Sequence, residues 1–500
     1  MGLRQRKFRL WGRKLKKFLP IVMALVVLVA FGYIVLNNAD LLKSKSENST
    51  ATPTYKYSRY YAAITHYTSE RENVGFSDLK GDLTNPESEK IIIPEEEREN
   101  IKKLFEITDY STNVTFAKNT EIISKIIQKE VGLAIIPIES VDFRVKTLKI
   151  DDKFIWDKSV TDYPMSVTLE TENQDFAKAN FEQKNITKIT NIGDVILGRH
   201  VAYKMQTYND YTHPWLLMAD FIKNADITFA DLEVPLSDQI DPPDEGMSFV
   251  APQKSIEGLK LGGIDIVALA NNHSTNFGTD VFSDTLALLK KEGILYCGGG
   301  ANYDEAYAPA IIEKNGLKFA FLDYNSIVGA VNATEDSAGV AKFAIKPWAE
   351  TDDEGDIERI KNAVKKAKTE ADIVIVELHW GVEYQAEPIQ SQINVAHAAI
   401  DSGADLIIGT HPHVVEGMET YNNVPIFYSL GNFIFDQEWS TETKQGIVAE
   451  TYFYGKKLVS TPVTPYQIED YNQPHMATVD QAKQILGRIF GASLSSDFSN

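Results

Sequence analysis

Along the chain the spacing of apolar and polar positions passes through distinct regimes. Residues 1–17 hold Arg4, Arg6, Lys7, Arg9, Arg13, Lys14, Lys16 and Lys17 and no acid; residues 18–36 then run without a charge. As a helix that run is about 28 Å long, enough to span the hydrocarbon core of a bilayer. The basic flank predicts a cytoplasmic start, an uncleaved signal anchor and a single-pass cell-membrane protein whose bulk is extracellular, with the membrane as a partner. Residues 37–56 include the polar run SKSENSTATPT and read as a stalk.

From residue 57 to 180 the pattern predicts a smaller accessory α/β domain. It has a helical period over 119–131, an apolar run over 132–137 and partial alternation over 145–150. Residues 86–99 read as a polar, acidic stretch. From 181 to 465 the rhythm becomes regular. Strands are predicted at 189–197, 227–229, 264–270, 318–324, 373–378, 406–409 and 426–430, and helices at 214–223, 282–291, 356–370 and 390–402. Such alternation predicts a layered α/β domain with both sheet faces covered and its chemistry at strand ends. Three further segments, 446–454, 456–461 and the YQIED that follows, read as closing antiparallel strands. Residues 466–500 carry a final helix over 474–490 and a serine-rich tail.

Composition narrows the function classes. A 500-residue chain that is 43% apolar buries a large core, and a single cysteine, Cys297, excludes an intramolecular disulfide. Beside Gly298, Gly299 and Gly300 it reads as a small buried residue. The formal net charge of −20 becomes about −28 once the eight N-terminal charges are set aside, so nucleic acid is not an expected partner.

The candidate chemistry sits where the strands end. Asp194 interrupts an apolar strand, at a cost unless it is paired or coordinated. Asp231 and Glu233 share one face of an extended segment stopped by Pro235, with Glu233 the better ligand candidate. Asn271, Asn272 and His273 close the next strand; an amide oxygen can ligate a metal and an imidazole can donate a proton. His379 ends a fourth strand, before Glu383, and a fifth runs into Thr410, His411, Pro412 and His413. Two imidazoles one residue apart on extended backbone face one side and suit one metal or two adjacent ones. Imidazoles with hard oxygen donors and no thiolate favour Mn, Fe or Zn. One ion would activate a water and polarise the scissile group; a pair would divide these tasks.

The segments GDVILGR, ADLEVPL, ANNHSTNFG, ELHWGVEY, GADLIIGTHPHVVEG and YSLGNFIFD, in order from Gly193 to Asp436, resemble the CapA family. These are capsule or poly-γ-glutamate synthesis proteins related to calcineurin-like metallophosphoesterases. The resemblance implies a four-layer α/β/β/α metallophosphatase-like sandwich. It assigns one or two divalent ions to Asp194, Glu233, Asn272, His379, His411 and His413, with His273 as proton donor. It places Arg199 on an anionic group of a phosphoester or polymer substrate, helped by Asn271. Glu383 would orient His379 or the water, and Asn432 would brace the metal loop or touch substrate. A poly-γ-glutamate ligase or export complex is the implied partner. Two departures stand out. The first phosphoesterase motif is Asp-x-His, whereas Ile196 follows Asp194 and Val195 here, and Glu233 stands where an aspartate is usual. His200 is the nearby imidazole, but on a continuing strand it points differently from Asp194. In the accessory region GLAIIPIESVDFRVKTLKIDD is similar to a segment of periplasmic-binding-protein-like modules. The leading expectation is a membrane-anchored extracellular protein of capsule synthesis with a hydrolase-like metal site. The alternatives are a non-catalytic polymer-binding or assembly subunit, and a stand-alone metal-dependent phosphoesterase.

Overall fold

A computed structural model describes residues 53–175 and 181–498. Among the described residues, contacts group 58–169 with 181–498 into one compact unit. Among the described residues no helix is long and apolar enough to cross a membrane. The expected span over 18–36 lies outside the described residues, as does the basic segment before it. This corrects the anchored reading: the single-pass helix, the membrane as partner and the extracellular placement have no support in the described fold, and none is carried forward.

The accessory region is built on a sheet whose strands follow the order Val114–Ala117, Ile91–Pro94, Leu133–Pro137, Tyr55–His66 and Val145–Thr147. The three parallel strands are fed by the helices Arg98–Phe105 and Asn119–Ile127. Residues 86–99 are therefore more than a polar linker: the short run of Ile91, Ile92 and Ile93 is fully enclosed as a central strand. Its acidic flanks concealed a segment too short to show a period. The core of this sheet also takes in Ile186, Tyr452 and Val459, so it packs directly on the larger domain.

In that domain two mixed sheets face each other. One runs in the order Leu295–Cys297, Ile266–Ala268, Ile227–Leu232, Ile186–Val195, Gln445–Tyr454, Val463–Glu469 and Gln473–Met476; its first four strands are parallel and the rest antiparallel. The other runs Ala310–Lys314, Leu317–Asn325, Ile373–His379, Leu406–Thr410, Val424–Phe427 and Met418–Tyr421, with four parallel strands in the middle. Alternate residues Ile189, Ile227, Phe229 and Ile266 of the first sheet meet Phe319, Phe321, Ile373, Ile375 and Leu406 of the second. The opposite faces bury Ile192, Val267 and Leu269 under the helices Arg199–Tyr208 and Thr279–Glu292, and Val374, Val376 and Ile407 under Glu354–Glu370 and Gln390–Asp401. Runs such as Ile373–His379 are apolar on both sides because both sides are covered. The result is a helix–sheet–sheet–helix sandwich.

Local differences from expectation have simple causes. The helix Arg199–Tyr208 was concealed by its polar outer face, and the helix placed over 214–223 reduces to a 3₁₀ turn and the four residues Ala219–Ile222. Pro474 lies in the edge strand Gln473–Met476, where a missing N–H is tolerated, and the last helix starts at Val479 behind a Thr478–Gln481 capping box.

Candidate metal centre

The parallel strands of both sheets end at the same place. Across the first sheet Asp231, Asp194 and Asn432 stand in register on three adjacent strands. Across the second, Asn325, His379 and Thr410 do the same. Gly193 makes the first alignment possible, since a Cβ there would stand 1.9 Å from the Gly431 carbonyl oxygen. Six polar side chains are thus delivered to one crevice at the carboxyl ends of the strands, the usual place for chemistry in such sheets.

The hydrogen bonds show which of these groups are already occupied. His413 Nδ1 lies 2.9 Å from Asp194 Oδ2 and 2.8 Å from Asn432 Oδ1, while the Asn432 amide donates to the His413 and Thr443 carbonyls. His379 Nδ1 lies 3.1 Å from Asp231 Oδ2 and 2.9 Å from Thr410 Oγ1; its Nε2 lies 2.8 Å from Asn272 Oδ1 and 3.6 Å from Glu233 Oε1. Glu233 and His411 are different. Both carboxylate oxygens of the one and both ring nitrogens of the other are buried with no hydrogen-bond partner. His411 is also held at φ +94°, a strained conformation for a non-glycine residue.

Burial sets the electrostatics. It raises the Glu233 pKa well above the carboxylate range, and the neighbouring charges of Asp194, Asp231 and Glu383 raise it further. Burial likewise raises Asp231, helped by Asp194. It lowers His379 to about 3 and His411 well below its ordinary value, so both imidazoles are neutral at physiological pH. Crowded carboxylates beside neutral imidazoles suit a divalent cation, which relieves the repulsion and takes up lone pairs that nothing else uses. Ligand atoms of Glu233, His411 and His413 lie within 4.8 Å of one another, as do those of Asp231, Glu233 and His379. These residues fit a divalent metal ion.

The remaining expected site residues surround this group. His273 Nε2 lies 3.8 Å from Glu233 Oε1. Its Nδ1 meets Asn276 Oδ1 at 3.0 Å, an oxygen that already accepts from the Phe249 N–H. The neutral ring therefore carries its proton on Nδ1 and a lone pair on Nε2. Burial brings its pKa down to about 3, with His413, His379 and Arg199 adding to the effect. Asn271 is buried and spent on the fold: Oδ1 accepts from the backbone N–H groups of His273 and Ser274, and Nδ2 donates to Asp231 Oδ1 at 2.8 Å. Arg199 is stacked between Phe249 and Phe435 and clamped by Asp436, with Nη1 on the Gly246 carbonyl. His200 points to the same Asp436 and stacks on Tyr471, away from the metal group. Glu383 is half-buried on the turn after Gly381. Trp348 and Tyr384 stand beside His411 and His413, with ring centroids 6.1 and 6.3 Å away.

Sequence reasoning passed over the groups behind this front row. Thr410 donates to Glu377, and Glu377 neighbours Asp323 in register. Asp323 Oδ2 accepts from the backbone N–H groups of Leu269 and Ala270, which lead into the Asn271–His273 segment. Burial lifts Asp323 to about 7 and Glu377 well above its ordinary range. Asp323 Oδ1 and Glu377 Oε2 have no other partner, an arrangement that one shared proton satisfies. Glu377 and Asp323 interrupt apolar strands just as Asp194 does, which is the signal that would have found them. Cys297 is buried nearby, as expected of a small core residue.

Comparison with known proteins now places the chain. Residues 188–437 match the family described as bacterial capsule synthesis protein PGA_cap. The chain belongs to this family. Among PGA_cap relatives, a capsule biosynthesis protein CapA of Bacillus anthracis is 31% identical over 296 residues, covering 58% of this chain and 69% of its own length. A PGA biosynthesis protein CapA of Bacillus subtilis (strain 168) is 30% identical over 297 residues, covering 59% and 74%. A probable polyglutamine synthesis accessory protein of Mycobacterium tuberculosis is 30% identical over 185 residues, covering 35% and 46%. The matched segment holds both sheets' site-bearing strands, from Asp194 to Asn432.

Proposed function

We propose that this PGA_cap protein serves capsule or poly-γ-glutamate synthesis through a divalent-metal centre that hydrolyses a phosphoester. The observation that carries the reading is the pair of buried, unpartnered groups, Glu233 and His411, whose ligand atoms lie within 4.8 Å of each other and of His413. Glu233, Asn272, His379 and His411 would hold one Mn, Fe or Zn ion, and Asp194 and His413 would offer donors for a second. A bound ion of this kind supplies Lewis acidity and lowers the pKa of water. His273 exchanges a proton at Nε2. To act as a donor it must first be charged, and an anionic substrate supplies the countercharge that burial denies it. Arg199, held by Asp436, contributes a fixed positive potential, and Glu383 a half-buried carboxylate beside Glu233. A ligase or export complex of polymer synthesis is the partner this reading implies.

A second reading, a polymer-binding assembly subunit without turnover, is favoured by Ile196 in place of the first-motif imidazole and by the mutual pairing of Asp194 and His413. The deciding experiment loads the full-length protein with Mn, Fe or Zn, measures bound metal, and assays a generic phosphodiester and poly-γ-glutamate. At least one tightly bound ion with phosphodiester turnover is expected. Metal without turnover of either compound, or neither metal nor turnover, selects the assembly subunit and refutes the phosphoesterase.

A further inference from the structure

Asp231 lies close enough to Glu233 and His379 to be counted among the metal ligands, yet its oxygens are differently occupied. Both Glu233 oxygens are unpartnered, whereas Asp231 Oδ1 accepts from Asn271 Nδ2 at 2.8 Å and Oδ2 lies 3.1 Å from His379 Nδ1. The second atom facing His379 Nδ1, Thr410 Oγ1, has its own proton committed to Glu377, so it too can only accept. His379 is neutral and holds one ring proton, and two oxygens converge on Nδ1 against the single amide oxygen of Asn272 that faces Nε2.

We infer that Asp231 is a positioning residue rather than a metal ligand, holding the His379 proton on Nδ1 so that the Nε2 lone pair faces Glu233 and Asn272. Carboxylate partners of this kind orient ligating imidazoles and raise their basicity. The inference rests on the metal-site reading for its purpose, though not for its geometry. Asn271 makes it stricter still. Its amide cannot turn round, because Oδ1 accepts from His273 N at 3.2 Å, Ser274 N at 2.7 Å and Ser274 Oγ at 2.9 Å. In Asp231→Asn the new side chain must therefore turn its oxygen to Asn271 and its NH₂ to His379 Nδ1. The imidazole can accept that bond only by moving its proton to Nε2, the atom meant for the metal.

The test uses full-length protein with ¹⁵N-labelled histidine, stripped of metal, and reads the His379 tautomer from its ring nitrogens, assigned with His379→Gln. Wild type is expected to carry the proton on Nδ1 and Asp231→Asn on Nε2. Affinity for Mn²⁺ or Zn²⁺, measured by chelator competition, should fall about 10–100-fold in Asp231→Asn. Thr410→Val, which keeps shape and leaves Asp231 in place, should retain the Nδ1 proton and lose at most a few-fold in affinity. A wild-type proton on Nε2 overturns the inference. So does an Asp231→Asn variant that loses metal without changing tautomer, the behaviour of a direct ligand. If Asp231→Asn does not fold, movement of the proton in Thr410→Val overturns the inference and its retention supports it. If the wild type binds no ion, the metal reading fails and the wild-type tautomer alone decides this one.

Discussion

The two halves of the crevice contain similar residues in different states. In one, Asp194 and His413 satisfy each other, and Asn432 Oδ1 shares the same His413 ring nitrogen. In the other, Glu233 and His411 are as deeply buried but bond to nothing, and both are pushed toward their neutral forms. A buried polar atom without a partner costs on the order of 1–3 kcal/mol. The second half therefore carries a cost that a cation removes, whereas a cation entering the first must compete with bonds already made. The lesson is that ligand type alone does not rank metal positions; what each ligand does without the metal matters as much. Ile196, fully buried where the phosphoesterase motif has an imidazole, deepens the difference.

The largest expected effect breaks the stronger half. His411→Ala should weaken the tighter metal position at least about 100-fold, or about 2.7 kcal/mol, in a chelator titration. Unchanged affinity would place the ion elsewhere. Asp194→Asn, by the same measurement, should cost that position less than about tenfold. Equal losses in the two variants would erase the contrast between the halves.

Glu233→Gln should move two quantities in opposite directions. Metal affinity falls, while the metal-free protein gains about 1–3 kcal/mol against thermal or urea unfolding because the chain no longer has to protonate a buried acid in order to fold. A metal-free variant less stable than wild type would show that Glu233 is satisfied without an ion. Ile196→His restores the missing imidazole and should strengthen the weaker position, read as a rise in bound metal per chain. Its expected cost is about 1–3 kcal/mol of metal-free stability, since a polar ring enters an apolar pocket.

The smallest effect concerns the carboxyl pair behind the site. Asp323 is raised from 3.8 to about 7, so the stability it contributes is present below pH 4 and is lost as pH rises through about 7. Asp323→Asn removes that loss. Between pH 5 and 8 the metal-free variant should gain on the order of 1–3 kcal/mol relative to wild type. A parallel pair of stability curves would mean that Asp323 does not change its protonation on folding.

Much of this was legible before any fold was known. Asp194, Glu233, Asn272, His379, His411 and His413 announce themselves because each ends or interrupts an apolar strand, where an unpaired polar side chain is costly. Glu377 and Asp323 gave the same signal more faintly, being single acids inside strands rather than members of a cluster. The accessory strand Ile91–Pro94 was missed because three isoleucines between acidic neighbours show no period.

The sequence by itself determined the alternation of strands and helices and the roster of side chains at strand ends, because these follow from local periodicity and the cost of burying polar groups; the pair of facing sheets was implied only by the family resemblance. Only the tertiary structure decided which of those side chains answer each other. The pairing of Asp194 with His413, the bonds that Asp231 makes to Asn271 and His379, and the commitment of Arg199 to Asp436 join residues between 40 and 237 positions apart. Such partnerships are set by strand register and sheet packing, neither of which leaves a mark in local spacing.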